Sequence, residues 1–307
     1  MPMTRRGFLA SAALLVTSGA SPVGRKGCTL SIGTYSLKGI PLEDAFALVS
    51  KIGFDGIEIA TQPGFEGEPA KLAPLRRVEL RKHLQTSGLA LTALMEQITP
   101  SPDDRQAREH ATRLGRVADL ARDLAADPDH PPLIQTVLGG GSWDEKKSLF
   151  RDRLGEWLDV TKARKVVLAV KPHRGGALSR PEEGVWLIRQ LGDTPWLRLV
   201  YDYSHYAFRD MPLEATVRTA LPYTAHVAVK DATRQGERVV FDLPGATGTF
   251  DYPKLLRLLY DGGYRGDICC EVSSMVSSRP GYDAVAAAKT CHANMARAFE
   301  TAGIPRG

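Results

Sequence analysis

The strongest constraint on the fold is a rhythm. From residue 29 onward, short apolar runs rich in β-formers alternate with longer amphipathic stretches. The runs are TLSIGTY (29–35), GIEIA (56–60), LALTALM (89–95), LIQTVL (133–138), VVLAV (166–170), LRLVY (197–201), AHVAV (225–229) and DICCE (267–271). Helices are predicted near 41–52, 74–87, 103–126, 143–162, 181–191, 212–220, 251–262 and 281–302. Several open on N-terminal signals, such as Pro181-Glu182-Glu183 and Asp251-Tyr252-Pro253, and several stop at glycines, among them Gly53, Gly88 and Gly192. Strict alternation of strand and helix builds a parallel sheet covered by helices. Eight such units in about 280 residues predict a closed (β/α)8 barrel rather than an open doubly wound sheet. No G-x-G-x-x-G follows the first run, which argues against a dinucleotide-binding fold. With no linker-like break after residue 28, the reading is a single α/β domain over 28–307.

Composition narrows the partners. Hydrophobic residues at 43% and charged residues at 24% suit a large core. The formal charge of +5 is small and scattered, so a nucleic-acid partner is not expected. Cys28, Cys269, Cys270 and Cys291 form no C-x-x-C pair. The adjacent pair in an apolar run points to opposite faces of a strand and reads as packing. Residues 1–27 differ in kind. MPMTRRGFLASAALLVTSGAS carries Arg5-Arg6, an apolar stretch and small residues at 18–20, similar to a twin-arginine export signal followed by a short linker. That stretch is too short to span a bilayer. The expectation is export to the periplasm with no stable membrane span after cleavage.

In a barrel of this kind the chemistry sits where the strands end. The residues there are polar in run after run. Glu58 lies in the second run and Glu96-Gln97 ends the third. Lys171, His173 and Arg174 follow the fifth, and Asp202 and His205 follow the sixth. His226 lies within the seventh, which ends in Lys230-Asp231 with Arg234 beyond, and Glu271 closes the eighth. Asp202, His205, His226 and Glu271 are the oxygen and imidazole donors a Mn2+, Zn2+ or Mg2+ site uses. Each also has a structural role open to it. Asp202 can cap the next segment, His205 and His226 can be satisfied by local hydrogen bonds, and Glu271 can pair with Arg265 or Lys230.

GFDGIEI (53–59), PHRGG (172–176), YDYSH (201–205), AHVAVKD (225–231) and DYPKLLRLLYDGGYRGDICCE (251–271) resemble the xylose isomerase-like barrels. That family includes ketose 3-epimerases, hydroxypyruvate isomerases, inosose dehydratases and, as a DNA-repair branch, endonuclease IV. The resemblance covers most of 29–302 and implies a TIM barrel with a divalent metal, commonly Mn2+, held by Glu, Asp, His and Glu from the last four strands. It assigns Asp202, His226 and Glu271 as metal ligands, with His173, His205 and Arg234 on the substrate side; Glu58 and Lys230 join them as substrate-binding candidates. The repair branch, with its many histidine ligands, does not suit a chain with seven histidines.

One position departs from the pattern. The family's first ligand is a glutamate before Pro-His, and here it is Lys171. An ammonium has three donors and no lone pair, so it binds no metal. Lys171 could replace the ion, it could act beside an ion held by the other ligands, or the site could be inactive. A Schiff base is a further use of a desolvated lysine. The expected function is a sugar or sugar-acid isomerase or epimerase working through an enediolate, with Glu271 and Lys171 as catalytic residues. The alternatives are an exported, non-catalytic sugar-binding barrel and a keto-sugar lyase or dehydratase. The partner is a small sugar or sugar derivative, and a homo-oligomer is compatible with the sequence.

Overall fold

The computed structural model describes residues 26–307. The twin-arginine segment, and almost all of the 1–27 leader, lies outside the described residues. The eight apolar runs all form strands. They are β1 (Thr29–Gly33), β2 (Gly56–Ala60), β3 (Ala90–Met95), β4 (Leu133–Thr136), β5 (Leu168–Val170), β6 (Leu197–Tyr201), β7 (Thr224–Val229) and, after a hairpin, β10 (Asp267–Cys270). All neighbours pair in parallel, and the sheet closes in the order β1-β10-β7-β6-β5-β4-β3-β2. Strand and helix alternate as the sequence pattern requires, which makes this a (β/α)8 TIM barrel.

The helices are α1 (Leu42–Ile52), α2 (Pro74–Ser87), α3 (Asp104–Leu124), α4 (Trp143–Lys162), α5 (Pro181–Gln190), α6 (Leu213–Ala220), α7 (Tyr252–Asp261), the one-turn α8 (Ser274–Ser277) and α9 (Ala284–Ala302). Local chemistry sets their ends. Asp103, Asp251 and Asp283 each accept backbone N–H bonds from the first turn of α3, α7 and α9, satisfying donors that have no partner within the helix. Gly53 and Gly88 end α1 and α2 at φ 105° and 70°, a left-handed conformation that costs glycine little.

The core has two parts. The larger lies between sheet and helices and includes Leu30, Ile32, Phe46, Val49, Ile57, Ile59 and Leu80. The smaller fills the barrel itself with Ala93, Leu133, Ala169, Val200 and Ala228. Three alanines among those five leave room inside the barrel for longer polar side chains. β8 (Asp231–Gln235) and β9 (Arg238–Asp242) form an antiparallel hairpin beyond the end of β7. The eight-run pattern did not anticipate it. Among the described residues, no helix is long and apolar enough to cross a membrane.

Candidate active site

Four adjacent strands, β5, β6, β7 and β10, end one residue before Lys171, Asp202, Lys230 and Glu271 respectively. The rim of the barrel therefore carries charges in the order plus, minus, plus, minus. The side chains close on each other. Lys230 Nζ donates to Asp202 Oδ2 at 2.5 Å and to Glu271 Oε1 at 2.7 Å, and lies 3.2 Å from His205 Nε2. Lys171 Nζ donates to the other Glu271 oxygen, Oε2. Asp202 and His205 are fully buried, Lys171 and Lys230 are 2% exposed, and the Glu271 side chain is 13% exposed. Such charges persist in a dry interior only because each is paired.

Counting donors separates the two lysines. An ammonium has three N–H groups, and Lys230 directs all three at Asp202, Glu271 and His205. Lys171 has one hydrogen-bond partner among the described residues, so two N–H groups remain for a ligand. An ammonium can only donate, so the Lys230 contact assigns His205 Nε2 as the acceptor and the proton of that neutral ring to Nδ1, which is buried and has no partner among the described residues. His173 packs against His205 with ring centroids 3.9 Å apart and planes tilted by 47°, and accepts from the Gly175 N–H at Nδ1, leaving its Nε2 as the donor. Phe241 of the hairpin covers this end of the site, 5.1 Å from Lys230 Nζ and 5.3 Å from the His205 ring.

Electrostatics follow from these contacts. Burial works against the charged form of Glu271, but Lys171 and Lys230 outweigh it and hold the carboxyl well below the usual range. Asp202 is lowered in the same way, burial being overcome by Lys230, Lys171 and the Ser204 hydroxyl. Lys171 is pushed above its ordinary value, since the carboxylates of Glu271, Asp202 and Glu58 together exceed the cost of burial. Burial and the two ammonium groups lower His173 to about 4 and carry His205 well below its normal value, so both rings are neutral at pH 7.

Comparison with known proteins settles the family. The model of the xylose isomerase-like TIM barrel matches residues 46–292. The chain belongs to this family. A Mus musculus protein provisionally named hydroxypyruvate isomerase is 33% identical over 94 residues, which is 31% of each chain. This chain thus matches about a third of the length of that curated relative. A structure of L-ribulose 3-epimerase superposes with a TM-score of 0.71 at 18% identity, covering 90% of this chain and 96% of the other. Another, of the IolI protein with a bound zinc atom, gives 0.70 at 17% identity over 90% and 98%. At these identities the structures show the shared fold.

One structure of the same fold holds a zinc atom, so the donor set here needs testing against a metal. Asp202, His205 and Glu271 offer one donor atom each, all within 4.8 Å of one another. Those donors already surround the Lys230 nitrogen, and Glu271 gives its second oxygen to Lys171. Two carboxylates are balanced by two ammonium groups. A divalent ion added there would leave two uncompensated positive charges in a buried site. As arranged, the residues do not fit one.

Of the expected ligands, the structure joins Asp202 and Glu271 but not His226. That ring lies in a second group with Glu58 and Cys269, again within 4.8 Å of one another and buried. The reason is strand geometry. His226 and Lys230 share a face of the same chain segment, but four residues place them about 13 Å apart along it. His205 takes the place expected for His226. Glu58 faces His226 at 3.5 Å and accepts from the Gln135 amide at 2.5 Å, inside the barrel and below the charged ring. Gly33, paired with Glu58 on the neighbouring strand, leaves room for it, since a Cβ there would lie 2.9 Å from Glu58 Oε1. Arg234 sits on the exposed part of the hairpin and donates to Gly236 O, away from the ring. Glu96 is buried at the end of β3, where Arg113 and Thr61 hold it. Residue-type reasoning named Lys230 as a substrate contact and missed that it is the centre of the ring. The alternation His226-Ala228-Lys230, which sets all three on one strand face, carried that signal.

Proposed function

We propose that the chain is an isomerase or epimerase of a sugar or sugar-derived carbonyl compound, acting by proton transfer next to the carbonyl. One observation carries the reading: at the barrel mouth, Lys171 keeps two free N–H donors while bonded to the Glu271 carboxylate. A substrate carbonyl oxygen accepts from Lys171, and its arrival draws the ammonium away from Glu271. The freed Oε2 then takes the proton from the neighbouring carbon, and the C–H electron pair moves to give an enolate. The negative charge settles on the oxygen held by Lys171. Delivery of the proton to the former carbonyl carbon, with the neighbouring hydroxyl proton passing to the enolate oxygen, isomerises the substrate; delivery to the opposite face of the carbon it left epimerises it. His173 Nε2–H supplies a donor for a hydroxyl or enolate oxygen. The ammonium of Lys171 is a hydrogen-bond donor in this scheme, and its raised pKa disfavours a Schiff base, which needs the neutral amine. The relatives named above include isomerases and epimerases, which supports the same class.

The test is solvent exchange. Incubated in D2O with a panel of keto-sugars and sugar acids, the protein is expected to place deuterium at the carbon next to the carbonyl of at least one of them, read by mass spectrometry and proton NMR. Folded protein that exchanges none of the panel would leave a non-catalytic sugar-binding barrel as the better reading. Exchange accompanied by loss of water would mark a dehydratase using the same enolate.

The reading extends to location: this chemistry takes place in the periplasm, supported by Arg5-Arg6 and the apolar stretch after them. Replacing both arginines by lysine is expected to retain the protein in the cytoplasm on fractionation. Unchanged distribution would refute export by that route.

A further inference from the structure

We infer that the Lys230 ammonium is a permanent substitute for the divalent cation at the barrel mouth, with Lys171 closing the site to any ion. The inference deepens the isomerase reading by specifying how that site is charged, and it is tested without reference to turnover.

The geometry is specific. The three donor atoms that could converge on a metal, Asp202 Oδ2, Glu271 Oε1 and His205 Nε2, lie 2.5, 2.7 and 3.2 Å from one nitrogen. That nitrogen lies where an ion would be held, attached to the chain through four methylenes. Its three N–H groups match these three acceptors in number, so none of them is left without a partner. Lys171 supplies the second part. It occupies the end of the strand next to Asp202 and takes the remaining Glu271 oxygen, so no carboxylate in the ring has charge to spare. Two single charges on separate tethers balance Asp202 and Glu271, as one divalent ion would. The buried phenyl ring of Phe241, over Lys230, closes the site from the hairpin side.

The substitution also changes what the site offers a ligand. A metal ion with an open coordination position binds substrate oxygen directly. Lys230 has no N–H left for that purpose, so contact with substrate passes to Lys171. One lysine holds the acidic groups in place; the other meets the substrate.

The experiment is a metal census of the full-length protein. After incubation with Mn2+, Co2+ or Zn2+ and desalting, the wild type is expected to retain well below about 0.1 ion per chain at Asp202–Glu271, by inductively coupled plasma mass spectrometry. About one ion per chain that survives His226→Ala and is lost on Asp202→Asn would overturn the inference. An ion lost on His226→Ala and kept on Asp202→Asn belongs to the Glu58–His226–Cys269 group, and supports it. The converse variant, Lys171→Glu with Lys230→Ala, vacates the centre and offers three carboxylates and an imidazole. It is expected to gain Mn2+ binding, read by loss of the free-ion electron paramagnetic resonance signal. If that variant keeps its far-ultraviolet circular dichroism and binds Mn2+ no better than wild type, the lysines are not what excludes the ion. The wild-type census needs no variant to fold. Absence of deuterium exchange together with absence of metal would defeat the isomerase reading and leave this one standing.

Discussion

Lys230→Met is expected to lower the folding stability by about 3–5 kcal/mol, the range seen when one member of a buried ion pair is removed. Methionine is close in shape, so the loss reports charge rather than volume. Asp202, fully buried, would keep the Ser204 N–H and hydroxyl on Oδ1, and among the described residues only the uncharged His205 ring, at 3.3 Å, would remain beside Oδ2. Glu271 would keep Lys171 alone. The pH dependence gives an independent check. Asp202 and Glu271 lie below their ordinary values of 3.8 and 4.5, so their contribution is present above about pH 4.5 and is lost as pH falls through the folded values. Lys171 lies above its ordinary 10.5, so its contribution is present below that pH and is lost as pH rises through the folded value. The penalty should therefore be largest between about pH 4.5 and 10.5 and should shrink in acid, where the orphaned carboxylates take up protons. Denaturant titration at several pH values measures both. A loss below about 1 kcal/mol at neutral pH, within the ordinary range for point variants, would show that the ring is not the paired network described. Adding Asp202→Asn should recover part of the loss, since the charge left alone is then removed.

Lys171→Met is expected to reduce kcat/KM by about 10²–10³-fold, as removal of one preorganised oxyanion donor does elsewhere. The loss should fall on kcat more than on KM, because the donor gains most when charge builds on the enolate oxygen. Lys171→Arg should not rescue it. The guanidinium is larger and planar, so its N–H groups would not lie where the buried Lys171 ammonium meets Glu271 and the substrate oxygen. Steady-state kinetics on whichever substrate passes the exchange test decides the matter. Activity of Lys171→Met within about threefold of wild type would assign the oxyanion to another donor and return Lys171 to a purely electrostatic role.

The barrel was legible because its signal is repeated. Each apolar run needed only to be short, rich in β-formers and followed by an amphipathic stretch, and all eight pair as that pattern requires. Lys171, Asp202 and Glu271 were legible for a related reason: Lys171 and Asp202 are the first residues beyond a run and Glu271 is the last of one, where a barrel strand opens to solvent. His226 shows where this reasoning stops. Residue type marked it as a ligand, yet its depth along the strand places it with Glu58 and Cys269. Depth depends on register between neighbouring strands, including the irregularity between Leu199 and Val200 where β6 meets β7, and no single strand encodes that. The 231–242 hairpin was missed because a two-stranded excursion adds no step to the eightfold rhythm, although it brings Phe241 over the charged ring.

An ion held by a protein is in exchange with its surroundings, and its occupancy follows the free concentration. A lysine is delivered by translation, one to every chain, and cannot be stripped by a chelator or displaced by a competing ion higher in the affinity series. With Lys230 at the focus of Asp202, Glu271 and His205, the site is charged as soon as the chain folds. A protein built this way would work equally well in a compartment rich in metals and in one starved of them.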